Sequence, residues 1–109
     1  MEVLKLTKSD FKDGEYVGKE SVTDYDGHIE IDADLGWVKF KGALRAKGYI
    51  FAKAGSGIEA GWGIEAGSGI EAGEGIKAGE GIEAGWGIEA GSGIEAGSGI
   101  EAGEGIEAG

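Results

Sequence analysis

GIEAGWGIEAGSGIEAGEGIKAGEGIEAGWGIEAGSGIEAGSGIEAGEGIEAG, residues 57–109, decides how this chain folds. Isoleucine returns every six residues, at 58, 64, 70, 76, 82, 88, 94, 100 and 106, in the frame Gly-Ile-Glu-Ala-Gly-X. X is Ser, Trp or Glu, and glutamate follows isoleucine everywhere except at Lys77. A period this strict predicts a solenoid laid down one hexad at a time. Within each hexad Ile-Glu-Ala reads as a short strand, in-out-in, and Gly-X-Gly as a corner. Glycine is expected at the corners for backbone with φ > 0 and for close stacking of coils. A helix is disfavoured, because each glycine would cost about 1 kcal/mol relative to alanine. A period of six also fails to hold one helical face.

The repeat alone leaves the number of hexads per coil open. Three give a triangular β-helix with 18-residue coils, and two give a flattened β-roll with 12-residue coils. Trp62 and Trp86 lie 24 residues apart, which is two whole coils of 12 but one and a third of 18. The triangular form is favoured, because hexads are its usual signature.

The pattern decays toward the N-terminus. Over residues 28–53 apolar and polar residues alternate: Ile29, Ile31, Ala33 and Leu35 against Glu30, Asp32 and Asp34. The phase changes near Gly36, and Val38, Phe40, Leu44, Ala46, Ile50, Ala52 and Ala54 then share the inner face that Ile58 and Ala60 continue. Lys39, Lys41, Arg45, Lys47 and Lys53 share the outer one, so these degenerate coils, 28–53, are expected to be basic outside. Residues 54–109 form the regular acidic coils. Residues 1–27 read as an irregular N-terminal cap over the first strand edge. It would include a helical turn capped by Thr7 or Ser9 and ended by Gly14, with Leu4, Leu6, Phe11, Tyr16 and Val17 as the plug.

Charge divides as unevenly as pattern. Residues 1–53 hold nine Lys/Arg against ten Asp/Glu and residues 54–109 hold one against eleven, so −1 and −10 make up the net −11. An acidic half repels nucleic acid and acidic membranes and attracts basic protein surfaces. Cysteine is absent, which excludes disulfides and thiolate metal sites. No apolar run approaches a membrane span, and the N-terminus lacks the apolar core of a signal peptide, so a cytoplasmic location is expected.

HIEIDADLGWVKFKGALRAKGYIFAKAGSGIEAG, residues 28–61, resembles the hexapeptide-repeat β-helices, and in texture the bactofilin-type polymer-forming proteins. The resemblance implies an all-β solenoid over about three quarters of the chain. It departs from hexapeptide acyltransferases, which interleave a loop and carry a catalytic histidine; the sole histidine here, His28, precedes the regular repeats. Short acidic GIEAG-rich chains also look like accessory proteins of phages and mobile elements, some of which disable CRISPR–Cas effectors.

No enzymatic constellation stands out. His28 has no recognisable nucleophile or acid partner. Identical glutamate ladders do not supply the two differentiated carboxyls of a glycosidase. The corners lack the aspartates of calcium β-rolls, and no metal or cofactor is expected.

Two features suit binding instead. One is the carboxylate series Glu59, Glu65, Glu71, Glu83, Glu89, Glu95, Glu101 and Glu107, with Glu74, Glu80 and Glu104 on corners. Coils rising about 4.7–4.9 Å with three hexads each would carry one glutamate per roughly 1.6 Å of axis, against about 1.7 Å per charge in duplex DNA. The other is Trp62 and Trp86, expected to be exposed as interface anchors. The expected partner is a basic nucleic-acid-binding protein, a CRISPR–Cas effector foremost. A structural scaffold polymerising through coil stacking is the alternative. Ile100 and Ile106 of the last coil are expected to form a homodimer interface.

Overall fold

The computed structural model describes residues 2–53 and 55–108. Sixteen strands follow one another: β1 (Glu2–Thr7), β2 (Phe11–Lys12), β3 (Glu15–Tyr16), β4 (Gly27–Asp32), β5 (Gly36–Phe40), β6 (Leu44–Ala46), β7 (Ile50–Ala52), β8 (Ser56–Ala60), β9 (Ile64–Ala66), β10 (Ile70–Ala72), β11 (Gly75–Ala78), β12 (Gly81–Ala84), β13 (Gly87–Ala90), β14 (Gly93–Ala96), β15 (Gly99–Ala102) and β16 (Gly105–Ala108). They stack into three sheets, the faces of a parallel β-solenoid of about four turns. Face A is β1-β4-β7-β10-β13-β16, face B is β2-β3-β5-β8-β11-β14, and face C is β6-β9-β12-β15. Every pairing is parallel except β2 with β3.

The register settles the coil. Ile70 pairs with Ile88, Ile58 with Ile76 and Ile64 with Ile82, so regular coils hold 18 residues and the 12-residue roll is excluded. Trp62 and Trp86 therefore stand on different corners. Earlier coils are longer: Ile50 pairs with Ile70, twenty residues on. The two additional residues lie between Ala52 and Ile58, which are six positions apart, whereas Ala72 and Ile76 in the next coil are four apart. In that longer corner Ser56 faces inward and is fully buried, its Oγ without a partner among the described residues. Ala54, expected on the inner face, lies outside the described residues.

The core is a column of isoleucine and alanine. Ile29, Leu44, Ile50, Ile58, Ile64, Ile70, Ile76, Ile82 and Ile88 are all at most 2% exposed. The phase change near Gly36 has a backbone cause, since Asp34 (φ 52°) and Gly36 (φ 76°) both adopt left-handed conformations there. Leu35, read as inward, sits on that turn and is exposed.

Residues 2–7 are not irregular. They form β1, the first rung of face A, in register with β4 from Glu2↔Gly27 to Thr7↔Asp32. The helical turn is a single 3-10 turn, Lys8–Asp10, with Thr7 at its N-cap donating its backbone N–H to the Asp10 carboxylate at 2.8 Å. Leu6 and Phe11 are buried, and Phe11, Tyr16 and Phe40 pack edge-on and tilted at centroid distances of 5.5–5.9 Å. Val22 joins this plug, whereas Val17, expected in it, is exposed. Among the described residues no helix is long and apolar enough to cross a membrane.

The corner glycines of the regular repeats do not serve by positive φ. Among the described glycines only Gly14, Gly36 and Gly55 have it, all at or before the long corner. The reason in the repeats is contact. A Cβ on Gly79, Gly85, Gly91, Gly97 or Gly103 would collide with the carbonyl oxygen of the glycine eighteen residues earlier. The second glycine of each Gly-X-Gly is freer, and a Cβ at Gly99 meets nothing within 4 Å. Corner N–H groups donate to the preceding coil, as from Gly85 to Ala66 (3.1 Å) and from Trp86 to Ser68 (2.7 Å). We expect Gly85→Ala to destabilise by about 1–3 kcal/mol, because the coils must part to admit the methyl. Gly99→Ala should be neutral or stabilise by up to about 1 kcal/mol through the unfolded chain. Urea unfolding of the two variants beside the parent checks both.

Candidate functional site: two glutamate faces and their troughs

The central residue of each Ile-Glu-Ala strand points outward, so the hexad glutamates sort by face rather than forming one ladder. Register places Glu71, Glu89 and Glu107 on face A, Glu65, Glu83 and Glu101 on face C, and Glu59 and Glu95 on face B. With 18-residue coils each coil carries three outward hexad positions, and across the regular coils one of these is Lys77 rather than glutamate. On any one side, however, a carboxylate recurs only once per coil, about every 4.7–4.9 Å.

The faces differ in compensation. On face B the outward column runs Glu15, Lys39, Glu59, Lys77, Glu95, alternating in sign, and Lys77 Nζ lies 3.9 Å from Glu95. Like charges directly opposite in a sheet destabilise it and unlike charges do the reverse. Lys77, the single break in the repeat, is thus what neutralises face B. Faces A and C have no such residue among their last three rungs. The early coils carry the expected outward basic residues, but these are paired: Lys41 with Glu15, Arg45 with Glu65, Lys47 with Asp26 and Lys53 with Asp32, at 3.3–3.7 Å.

Faces A and C share the corner that carries Ser68, Trp86 and Glu104. The corner between B and C carries Trp62, Glu80 and Ser98, and the corner between A and B carries Glu74 and Ser92. Trp62 and Trp86 are exposed, at 61% and 66%. The acidic surface is therefore one edge with two flanks, with Trp86 standing on it.

Sequence reasoning missed the troughs. The second glycine of each corner leaves a column without side chains beside each outward column. On face C, Gly63, Gly81 and Gly99 run between Trp62 and the carboxylates of Glu65, Glu83 and Glu101. On face A, Gly69, Gly87 and Gly105 run between Trp86 and those of Glu71, Glu89 and Glu107, and Tyr49 and Phe51 close the end. On face B the chain covers the first part of its own trough and leaves about 330 Å3 open beside Gly93. Trp37 pairs with Gly57 and lays its indole over Gly57 and Gly75, both of which are buried. The signal was present in the second glycine, which recurs as strictly as the first.

His28 serves structure. Its Nδ1 accepts the Tyr49 backbone N–H at 2.9 Å, and its ring stacks on Tyr49 at 3.9 Å. Among the described residues no group of three or more His, Cys, Asp or Glu is arranged to hold a metal ion. Ile106, expected in a dimer contact, is 49% exposed, and Ile100 is partly buried. No family model, curated protein or solved structure matches the chain.

Stacking the carboxyls has a measurable cost. Hydrogen bonds with Glu65 and Glu101, then the charges of both, push the Glu83 pKa up from 4.5 to about 7. Glu89 is raised likewise, first by its hydrogen bond with Glu107 and then by the charges of Glu71 and Glu107. A carboxyl whose pKa is raised on folding binds its proton more tightly in the folded state. Its stabilising contribution is complete below the ordinary glutamate value and is lost as pH rises through about 7. Thermal stability should therefore rise as pH falls from about 8 to about 5. Glu83→Gln should flatten that dependence, and Glu83→Lys, which copies the face B pattern, should raise stability at the alkaline end. Calorimetric melting points across pH provide the check.

Proposed function

We propose that this chain is a non-enzymatic acidic binding protein. It occupies the basic nucleic-acid channel of a larger protein, as a phage-type inhibitor of a host CRISPR–Cas effector would. One observation carries the reading: two faces on which glutamate stacks on glutamate, relieved only at Glu65 by Arg45 among the described residues, meet at an edge while the third face alternates in sign. Stability alone favours the face B arrangement, and the chain uses it where Lys77 stands. Faces A and C keep the repulsive arrangement, and a partner that neutralises them recovers that energy. Basic channels that follow a phosphate backbone supply such neutralisation. The defence target rests on the likeness of GIEAG-rich acidic chains to phage accessory proteins, and such an inhibitor works in the host cytoplasm.

One carboxylate from each face, such as Glu83, Glu89 and Glu95, would be the wrong set to change together, since these three lie on C, A and B. The informative variants remove one face at a time. Glu71, Glu89 and Glu107 to Gln on face A, or Glu65, Glu83 and Glu101 to Gln on face C, should weaken competition with DNA for a guide-loaded CRISPR–Cas effector by about tenfold or more. The effect should shrink with added salt. Glu59→Gln with Glu95→Gln on face B should change competition little. Equal loss from all three faces, or none from A and C, in an electrophoretic competition assay would defeat the reading.

A further inference from the structure

The troughs on faces A and C resemble the one on face B in construction and differ in occupancy. Face B shows what such a trough accepts: a flat ring lying on glycine peptides, there the indole of Trp37. The equivalent positions at the heads of the other two troughs do not fill them. Tyr49 turns back onto His28, and Ala43 is too short. The grooves left open measure about 910 Å3 on face A and 470 Å3 on face C. Beside each stands an exposed indole on one side and a file of carboxylates on the other. Beyond the indole the face B trough keeps a smaller opening of about 330 Å3, and beside it stand Lys77 and Glu95, which balance.

An occupant of the open troughs must therefore be planar, like the indole on face B, and positively charged, to answer the carboxylates. Among protein side chains the guanidinium meets both demands. It stacks on aromatic faces and pairs bidentately with carboxylates, whereas the lysine ammonium is a hydrated point charge that gains little from a flat slot. The chain itself shows the carboxylate half of this contact, with Arg45 Nε 3.5 Å from the first glutamate of the face C column. We propose that the open troughs on faces A and C are arginine slots. Each takes guanidinium groups from an extended segment of the partner protein, flat on the glycine column, with the glutamates along one edge and Trp62 or Trp86 folding over from the opposite wall.

This rests on the acidic-binder reading and narrows it, since charge mimicry alone does not distinguish arginine from lysine. The test uses oligo-arginine and oligo-lysine peptides of equal length, titrated into the whole protein by calorimetry at matched ionic strength. Oligo-arginine should bind about tenfold tighter or more. Combining Trp62→Ala with Trp86→Ala should remove most of that preference while retaining the salt-sensitive binding of oligo-lysine. Gly81→Leu with Gly87→Leu fills each trough on the rung at or next to its tryptophan without touching a charge, where a Cβ meets a carbonyl oxygen of the following coil at 3.5 and 3.3 Å. That pair should likewise abolish the preference, with circular dichroism confirming the fold. Equal affinities for the two peptides would overturn the arginine slots and leave the mimicry reading standing. Failure of both peptides to bind would overturn both. A preference that survives blocking of the troughs would also overturn the slots.

Discussion

Each regular corner is held against the one before it by a glycine whose α-carbon faces a carbonyl oxygen of the preceding coil. No larger residue can stand there without parting the coils. This contact permits at the corners the spacing that the strand ladders require, and the spacing lets corner N–H groups reach the carbonyls below them. Side chains then have no freedom in their vertical order. Isoleucine falls on isoleucine, glutamate on glutamate, and the second glycine on the second glycine. The core, the ladders and the troughs are three consequences of one close approach.

The same rigidity turns a repeated carboxylate into an electrostatic problem with a local answer. Where the column alternates, as on face B, neighbours attract. Where it does not, the stack responds by holding protons near neutrality, as Glu83 does between Glu65 and Glu101. A surface in that condition is primed for cationic contact. A basic group arriving at it relieves repulsion as well as forming a new pair. The early coils show the relieved state already, with Arg45, Lys47 and Lys53 each set against a carboxylate.

The architecture was legible because hexad periodicity is a direct record of backbone geometry. Strand, corner and inward face all follow from where isoleucine and glycine recur. The division of charge among faces was not, because a period of six says nothing of how many hexads close a coil. Glu83, Glu89 and Glu95 look like neighbours along the chain and stand on three sides of the rod. The reason for glycine was half legible: tight stacking was expected, and positive φ proved to matter only before the repeats become regular. Residues 2–7 hid a strand because their partner, β4, lies twenty-five residues on, beyond any local pattern. Val17 was expected in the plug on its apolar character alone and is exposed, while Ser56 turns inward where the coil departs from the regular length.

Lys77 has a bearing on how such a chain can change its length. It neutralises face B only because Glu59 and Glu95 stand one coil on either side of it. Gain or loss of a single hexad between Lys77 and its neighbours would rotate everything downstream by a third of a turn. The lysine would then sit above a different column, and an open trough would inherit a different wall. Only changes in blocks of three hexads keep two acidic faces, one balanced face and both tryptophans in place. Repeat expansion, ordinarily the easiest way for such genes to drift, is therefore quantised here. Working variants of this surface should differ in length by whole coils.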